Sequence, residues 1–159
     1  MNRKYDKAYF INKIEEIRSI RPEISITTDV IVGFPGETEE LFEETIETIK
    51  KIKFTKLHVF PFSLRKGTKA ETLPNHLDEK TKKDRCRRLI DLSKELEIEY
   101  MNKFIGREVV FIPEVYKDGY LIGHTGNYLL VKYKGCEELI HQDITATIKE
   151  VKYPYVIGK

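Results

Sequence analysis

Cysteine is scarce in this sequence, which has only Cys86 and Cys136 among its 159 residues. Two thiols on different predicted elements exclude a disulfide-stapled fold, and we expect both to stay reduced in a cytosolic chain. No spacing with a cysteine or carboxylate suggests zinc for His76, His124 or His141, and His58 is not assigned as a ligand. We therefore expect no metal site encoded within this chain alone.

Long hydrophobic runs are also absent. No apolar stretch reaches the roughly 20 residues that a membrane-spanning helix needs, and the N-terminus lacks the pattern of a signal peptide. We expect a soluble, cytoplasmic protein that has no membrane partner.

The sequence has little excess of either charge, since 28 basic residues face 26 acidic ones and leave a net charge of +2. Any basic surface must therefore come from local clustering. The densest cluster lies on one predicted helix: Lys80, Lys82, Lys83, Arg85, Arg87 and Arg88. Two interpretations stay open for it, a set of phosphate contacts and a solvated helix face.

The first half of the sequence alternates helical and strand patterns. Asp6 and Thr38 are expected to cap helices, and strands are expected at residues 24–32 and 55–62. The strands are rich in β-branched residues, as in a parallel sheet covered on both faces, and we expect Leu41 and His58 to be buried. Residues 1–77 are thus expected to form a parallel α/β sheet that has too few strands to close into a barrel and therefore has exposed edges.

The second half changes to short alternating strands. Asp78 is expected to cap a linking helix over residues 78–104, with Ile90 on its inward face. Strands are expected at residues 108–116, 120–124, 128–133 and 144–151, with a further one near 155–157. The Asp118-Gly119 pair predicts a tight hairpin turn. Residues 105–159 are thus expected to form a small closed antiparallel barrel of the oligonucleotide-binding type.

A glycine-proline turn follows the first predicted strand, in the sequence Gly33-Phe34-Pro35-Gly36-Glu37. Glycine permits a positive φ and a close approach of the backbone to a ligand. The carboxyl ends of strands in α/β proteins are where ligands bind. The turn is therefore a candidate ligand loop, although such a turn is also found as a plain connection.

The amino-acid identities in three segments indicate a protein family more specifically than the spacing of their residues does. The stretch ITTDVIVGFPGETEELFEETI, followed by LHVFPFSLRKGTKA, resembles the C-terminal half of the radical S-adenosylmethionine barrel of tRNA methylthiotransferases. The later stretch GYLIGHTGNYLLVKY resembles the TRAM domain of the branch that acts on N6-threonylcarbamoyladenosine. The resemblance implies methylthio transfer to C2 of that nucleoside beside the anticodon, with the isopentenyl branch as the other open choice.

The family also needs a CxxxCxxC triplet that holds one four-iron four-sulfur cluster, and an N-terminal domain that holds a second. This sequence contains neither. We therefore expect a C-terminal fragment that has no catalytic residue of its own and is inactive alone. Its parent enzyme would use S-adenosylmethionine and both clusters, and the missing N-terminal part would be its partner.

By resemblance, the turn and the second strand end lie against S-adenosylmethionine. The implied cofactor-binding residues are Asp29, Gly33, Phe34, Pro35, Gly36, Glu37, Val59, Phe60 and Arg65. For Asp29 and Glu37 the alternative is that they bond only to nearby backbone amides. For Arg65 two alternatives stay open, namely that it positions the substrate RNA and that it is a solvated loop residue.

The barrel interleaves aromatic and cationic residues, which suits unstacked RNA bases and phosphates. The candidate RNA-binding residues, which would contact a tRNA anticodon stem-loop, are Arg107, Lys117, Tyr120, His124, Asn127, Tyr128 and Lys132. A second function stays open, namely a non-enzymatic RNA-binding module. A phosphate loop of the P-loop type is disfavoured because no Lys-Ser or Lys-Thr follows the glycines.

Overall fold

The structure is a computed structural model that describes residues 4–159. The chain divides into two compact units, with the division after Leu96. Within the described residues, no helix combines the length and the apolar character needed to cross a membrane.

The first unit begins with two capped helices, each of which starts where the sequence predicts. In α1 (Lys7–Ile20), the Asp6 carboxylate accepts a hydrogen bond from the backbone N–H of Tyr9. In α2 (Glu39–Ile52), the Thr38 hydroxyl accepts from the N–H of Leu41. These side chains satisfy N–H groups that have no partner within the helix, and so they fix where each helix begins.

Two strands, β1 (Thr27–Val32) and β2 (Lys56–Pro61), form a parallel pair in which Thr27 lies opposite Lys56 and Val32 opposite Pro61. The predicted parallel pairing is confirmed. One face of the pair packs on a core contributed by both strands and the helices: Val32, Phe42, Ile49, Ile52, Phe54, Leu57 and Leu89.

The other face of the pair is open in the part of the chain that the structure describes. Ile31 is 41% exposed and Phe60 50% exposed, and Asp29 and His58 face the same side. The expectation that both faces are covered is therefore wrong for these residues, and so is the expectation of a buried His58. Alternation along a strand sends every second side chain to this face, and no described element packs against it.

Helix α3 (Glu79–Asn102) begins at the predicted cap, since the Asp78 carboxylate accepts from the N–H and the hydroxyl of Thr81. Two residues that were expected inside lie outside, namely Ile90 on α3 and Leu41 on α2, which are 55% and 51% exposed. Their neighbours in the sequence, Leu89 and Phe42, lie in the core.

The second unit is a closed β-barrel, as expected. Its strands are β3 (Glu108–Lys117), β4 (Tyr120–Thr125), β5 (Leu130–Lys134), β6 (Ile144–Lys152) and β7 (Tyr155–Gly158), in the order β3-β4-β5-β7-β6. Its core contains Phe111, Leu129, Val131, Ala146, Ile148 and Val156, together with Tyr100, Met101 and Phe104.

The barrel is not fully antiparallel, which corrects the prediction. β5 and β7 pair in parallel, with Val131 opposite Val156. The β3–β4 hairpin turns at Asp118 and Gly119 with φ values of 51° and 81°, as the Asp-Gly pair predicts. Tyr128, which was expected in a strand, lies in the β4–β5 turn with a φ of 63°.

Candidate functional sites

The turn after β1 has a defined shape that depends on both of its glycines. Gly33 and Gly36 have φ values of 74° and 84°, in the region that residues with a Cβ rarely adopt. The N–H of Glu37 donates to the carbonyl of Phe34 (2.9 Å), and the N–H of Gly36 donates to the carbonyl of Asn75 (2.9 Å). We call residues 33–37 the glycine loop.

The carboxylate of Glu37 fixes the conformation of the glycine loop by hydrogen bonds. One oxygen of its carboxylate accepts hydrogen bonds from the backbone N–H of Gly33 (2.8 Å) and from the guanidinium of Arg85 (2.6 Å). Arg85 also donates to the carbonyl of Glu37 (3.0 Å) and to the carboxylate of Glu39 (3.0 Å). The Arg85 side chain is only 5% exposed, so this charged contact is shielded from solvent.

Lys82 is the second residue of α3 that holds the loop. A Cβ added to Gly33 would lie 2.3 Å from Cγ of Lys82, so the lysine stem occupies the space that glycine leaves free. The ammonium group of Lys82 donates to the carbonyl of Phe62 (3.2 Å), just after β2, and pairs with Glu79. The start of α3 thus contacts both the loop after β1 and the end of β2.

This geometry changes the interpretation of the basic run on α3. Lys82 and Arg85 are buried and bound to the chain itself, so they are neither phosphate contacts nor part of a solvated face. Arg88 pairs with Glu39 and Glu43, and its hydrogen bond to Glu39 is the main cause that lowers the pKa of that carboxyl. Sequence reasoning missed this role because the partners lie more than 40 positions away along the chain.

The other residues that the resemblance assigns to the cofactor lie in three different surroundings. Asp29 and Phe60 are exposed on the open sheet face, whereas Val59 points to the opposite side and packs against the core. Arg65 is exposed in a turn that its own carbonyl closes by accepting from the hydroxyl of Thr68 (2.8 Å).

A groove of about 470 Å³ adjoins the glycine loop on the helix-covered side of β1. Phe34, Pro35, Gly36 and Glu37 line one end of it. The ring of Phe34 meets Phe62 edge to face, with centroids 5.3 Å apart. The structure therefore gathers residues 33–37 at one place, with Asp29 and Phe60 on the open sheet face and Arg65 in the turn that follows β2.

The two cysteines lie in different compact units. Cys86 packs against the first core, where burial raises the pKa of its thiol, and Cys136 is exposed in the second unit. Across residues 4–159, no group of three or more metal-ligating side chains is assembled. An iron-sulfur cluster held by cysteines therefore does not fit these residues.

The outer surface of the barrel brings together three of the RNA-binding candidates. Tyr120 and His124 alternate outward on β4, and Lys132 lies beside them on β5. The ammonium group of Lys132 lies 4.4 Å from the ring centroid of Tyr120. Lys117 lies opposite Tyr120 at the end of the hairpin.

The remaining barrel candidates differ in their surroundings. Tyr128 is 79% exposed, and its ring centroid lies 6.0 Å from that of His124, which contacts Glu114 at 2.9 Å. Asn127 is used within the turn, where its side-chain oxygen accepts from the hydroxyl of Thr125 (2.5 Å). Arg107 lies away from this group, with its guanidinium 5.8 Å from the ring centroid of Phe104.

Comparisons with known proteins identify the relatives of the chain. No family model matches it. It is 40% identical over its whole length to the threonylcarbamoyladenosine tRNA methylthiotransferase MtaB of Bacillus subtilis, and 39% identical over 85% of its length to the protein of the same name from Thermotoga maritima. It is also 34% identical over its whole length to the tRNA-2-methylthio-N(6)-dimethylallyladenosine synthase of Caldicellulosiruptor saccharolyticus.

The chain is homologous to the tRNA methylthiotransferases. It spans only 36%, 31% and 34% of the lengths of these three methylthiotransferases, respectively. The names of the three relatives differ in the modified adenosine, so this homology by itself leaves the nucleoside open.

Proposed function

We propose that the chain is the C-terminal part of a tRNA methylthiotransferase that acts on N6-threonylcarbamoyladenosine beside the anticodon. The observation that carries the proposal is the identity of 40% to the Bacillus subtilis relative over the whole chain. The stretch Gly123–Tyr128, which resembles this branch, supports the choice of nucleoside. Because the substrate is tRNA, the cytoplasm is the compartment in which the enzyme would act.

In this proposal the first unit contributes part of a barrel that holds S-adenosylmethionine, which supplies the radical and the methyl group when it is bound. The backbone of residues 33–36 would approach the cofactor at Gly36, where an added Cβ would meet nothing within 4 Å, whereas the free space at Gly33 is filled by Lys82. Asp29, Phe60 and Arg65 are exposed and would contact it from the open sheet face and the following turn. Glu37 would act indirectly, because its carboxylate already holds Gly33 and Arg85.

The iron-sulfur clusters do not fit the described residues, so the proposal assigns their ligands to the upstream part of the longer protein. The open face and the unpaired edges of β1 and β2 among the described residues support this assignment, because a barrel sheet needs further strands beside them.

The barrel of the second unit would be the TRAM-like domain that docks the anticodon stem-loop. A five-stranded barrel with half-buried aromatic and cationic side chains on the outer face of β4 and β5 suits oligonucleotide binding. Tyr120, His124, Tyr128 and Lys132 would form the contact surface, with Lys117 at its edge. Arg107 would add a peripheral phosphate contact, and Asn127 would hold the shape of the turn.

A chimeric enzyme tests the proposal directly. The segment of the Bacillus subtilis relative that aligns with this chain is replaced by the present sequence, and the chimera is expressed in a strain that lacks the native enzyme. We expect mass spectrometry of digested tRNA to find the methylthio form of threonylcarbamoyladenosine. The unaltered relative is the positive control.

A chimera that is soluble and carries both clusters, yet leaves threonylcarbamoyladenosine unmodified, would contradict the proposal. Binding of tRNA by the present chain in that case would favour the second function, an RNA-binding module without catalysis. The outward-facing pair of Lys132 and Tyr120 on the barrel is the observation that favours this alternative.

A further inference from the structure

The outer face of β4, β5 and β7 carries a regular array of side chains. The strand register places Tyr120 opposite Lys134, and Ile122 opposite Lys132, which in turn lies opposite Ile157 of β7. The residues between them, such as Leu121 and Val131, point into the barrel and are fully buried. The array therefore faces outward on adjacent strands.

Lys132 lies at the centre of this array, between two tyrosine rings. Its ammonium group is 4.4 Å from the ring centroid of Tyr120 and 5.7 Å from that of Tyr155 on β7. Among the described residues, no carboxylate forms an ion pair with Lys132. In contrast, Lys152 pairs with Glu150, and His124 contacts Glu114.

The chemistry of this arrangement favours one kind of ligand. Flat rings accept nucleobases by stacking, and a cation without a carboxylate partner can bind the phosphate that joins two nucleotides. Bases inside a duplex are already stacked on both faces, so only unpaired nucleotides can use the rings. An aromatic and cationic surface of this kind therefore matches single-stranded RNA.

We propose that Tyr155, together with Tyr120 and Lys132, forms a binding site for unpaired nucleotides on the outer face of the barrel. This inference rests on the proposed tRNA docking and adds β7 to the docking surface. The two tyrosine rings stack on bases of a loop. The ammonium group of Lys132 moves from the rings to the phosphate between those bases.

Binding of RNA to the full chain tests the site. The probes are a fluorescein-labelled anticodon stem-loop, an unpaired oligonucleotide with the sequence of its loop, and a blunt RNA duplex of equal length. We expect the unpaired probe to compete with the stem-loop and the duplex to compete poorly. Tyr155→Ala should weaken binding of the stem-loop about five- to a hundredfold, which is the range for loss of one stacked base. Tyr155→Phe should retain binding because the ring remains.

The matched control is Tyr9→Ala, since Tyr9 is an exposed tyrosine on α1 with Lys13 over its ring at 5.8 Å. This variant should bind the stem-loop as the unaltered chain does. In a plot of log affinity against log salt concentration, the slope for Lys132→Gln should be smaller in magnitude by about one, because one phosphate contact is lost. Circular dichroism establishes that each variant keeps the barrel.

Separate outcomes distinguish the two levels of the proposal. Stem-loop binding that is unchanged in both Tyr155→Ala and Lys132→Gln overturns the site but leaves tRNA docking intact. Equal competition by the duplex also overturns it. Failure of the unaltered chain to bind the stem-loop at low salt contradicts tRNA docking by this barrel, and the nucleotide site with it.

Discussion

At the scale of single residues, Arg85 connects α3 with the glycine loop. Its guanidinium is buried and bonded to Glu37, whose carboxylate in turn holds the N–H of Gly33. Removal of one partner from a buried ion pair leaves the other charge without compensation, which costs far more than loss of an exposed pair. The loop conformation therefore depends on a residue that follows it by 48 positions.

We predict that Arg85→Ala lowers the free energy of unfolding by about 3 kcal/mol, because Glu37 loses its buried partner. Urea denaturation followed by circular dichroism measures the change. The control is Arg87→Ala, since Arg87 pairs with Asp84 at the surface and its loss should cost about 0–1 kcal/mol. Equal losses for the two variants would show that the Arg85 contact contributes no more than a surface pair.

Asp78 gives a prediction about pH. Hydrogen bonds from the N–H and hydroxyl of Thr81 lower the pKa of its carboxyl from the ordinary value of 3.8. Because the folded pKa is depressed, the cap stabilises α3 fully at pH values above 3.8 and loses this contribution as the pH falls through the folded pKa. We expect amide exchange at Thr81 to accelerate in that acidic range.

Asp78→Asn is the matched variant, because asparagine caps helices without titrating there. Its Thr81 exchange rate should show no such step with pH, once the intrinsic dependence of exchange is removed. A step of the same size in both proteins would assign the effect to another group.

At the scale of elements, the two glycines of the loop have different neighbours. Both have a positive φ, but a Cβ on Gly33 would overlap Lys82, whereas a Cβ on Gly36 would meet nothing within 4 Å. Glycine is therefore favoured at position 36 only by the positive φ of the backbone. Glycine is favoured at position 33 both by the positive φ and because Lys82 of α3 lies where a side chain would be.

We predict that Gly33→Ala destabilises the chain more than Gly36→Ala, for which the left-handed backbone alone costs about 1–2 kcal/mol. The free energies of unfolding give the comparison. Adding Lys82→Ala to Gly33→Ala should recover part of the loss, since the overlapping side chain is then absent. Strict additivity of the two substitutions would exclude the clash as the cause.

The sequence predicts elements well and the contacts between distant elements poorly. Asp6, Thr38 and Asp78 cap their helices as expected, because capping depends on neighbours a few positions away. Leu41 and Ile90 were misplaced because each is an apolar residue beside a core position in the helical pattern, while only the neighbours Phe42 and Leu89 are buried. The pairing of Arg85 with Glu37 connects elements far apart in sequence.

Prediction of the candidate sites is limited in the same way. The glycine loop is visible as a motif, and Tyr120 and Lys132 are visible as an aromatic and cationic pattern. Tyr155 was missed because its place beside Lys132 depends on the parallel pairing of β5 with β7. Alternation within one strand says nothing about which distant strand becomes its neighbour.

At the scale of the whole molecule, each compact unit has its own hydrophobic core, and each contains one cysteine. Cys86 packs against the first core, where its thiol has a raised pKa and is partly protected. Cys136 is exposed in the second unit. The rate at which each thiol reacts with a reagent therefore measures the opening of its own unit.

We predict that Ile49→Ala, in the first core, accelerates reaction of Cys86 with a thiol reagent, whereas Ile148→Ala, in the barrel core, leaves that rate unchanged. Each substitution removes a buried side chain, at a cost of about 2–5 kcal/mol to its own unit. Mass spectrometry of the labelled peptides gives both rates. Equal acceleration by the two variants would mean that the units open together.

The parallel pairing of β5 with β7 affects how the barrel forms during translation. β3, β4 and β5 can pair one after another as they leave the ribosome, but β5 must wait for β6 and β7 before its second edge is filled. Tyr155 reaches Lys132 only at that final step. We therefore expect stalled nascent chains that end before Tyr155 to bind no RNA loop. Binding of the stem-loop by such chains would contradict this expectation.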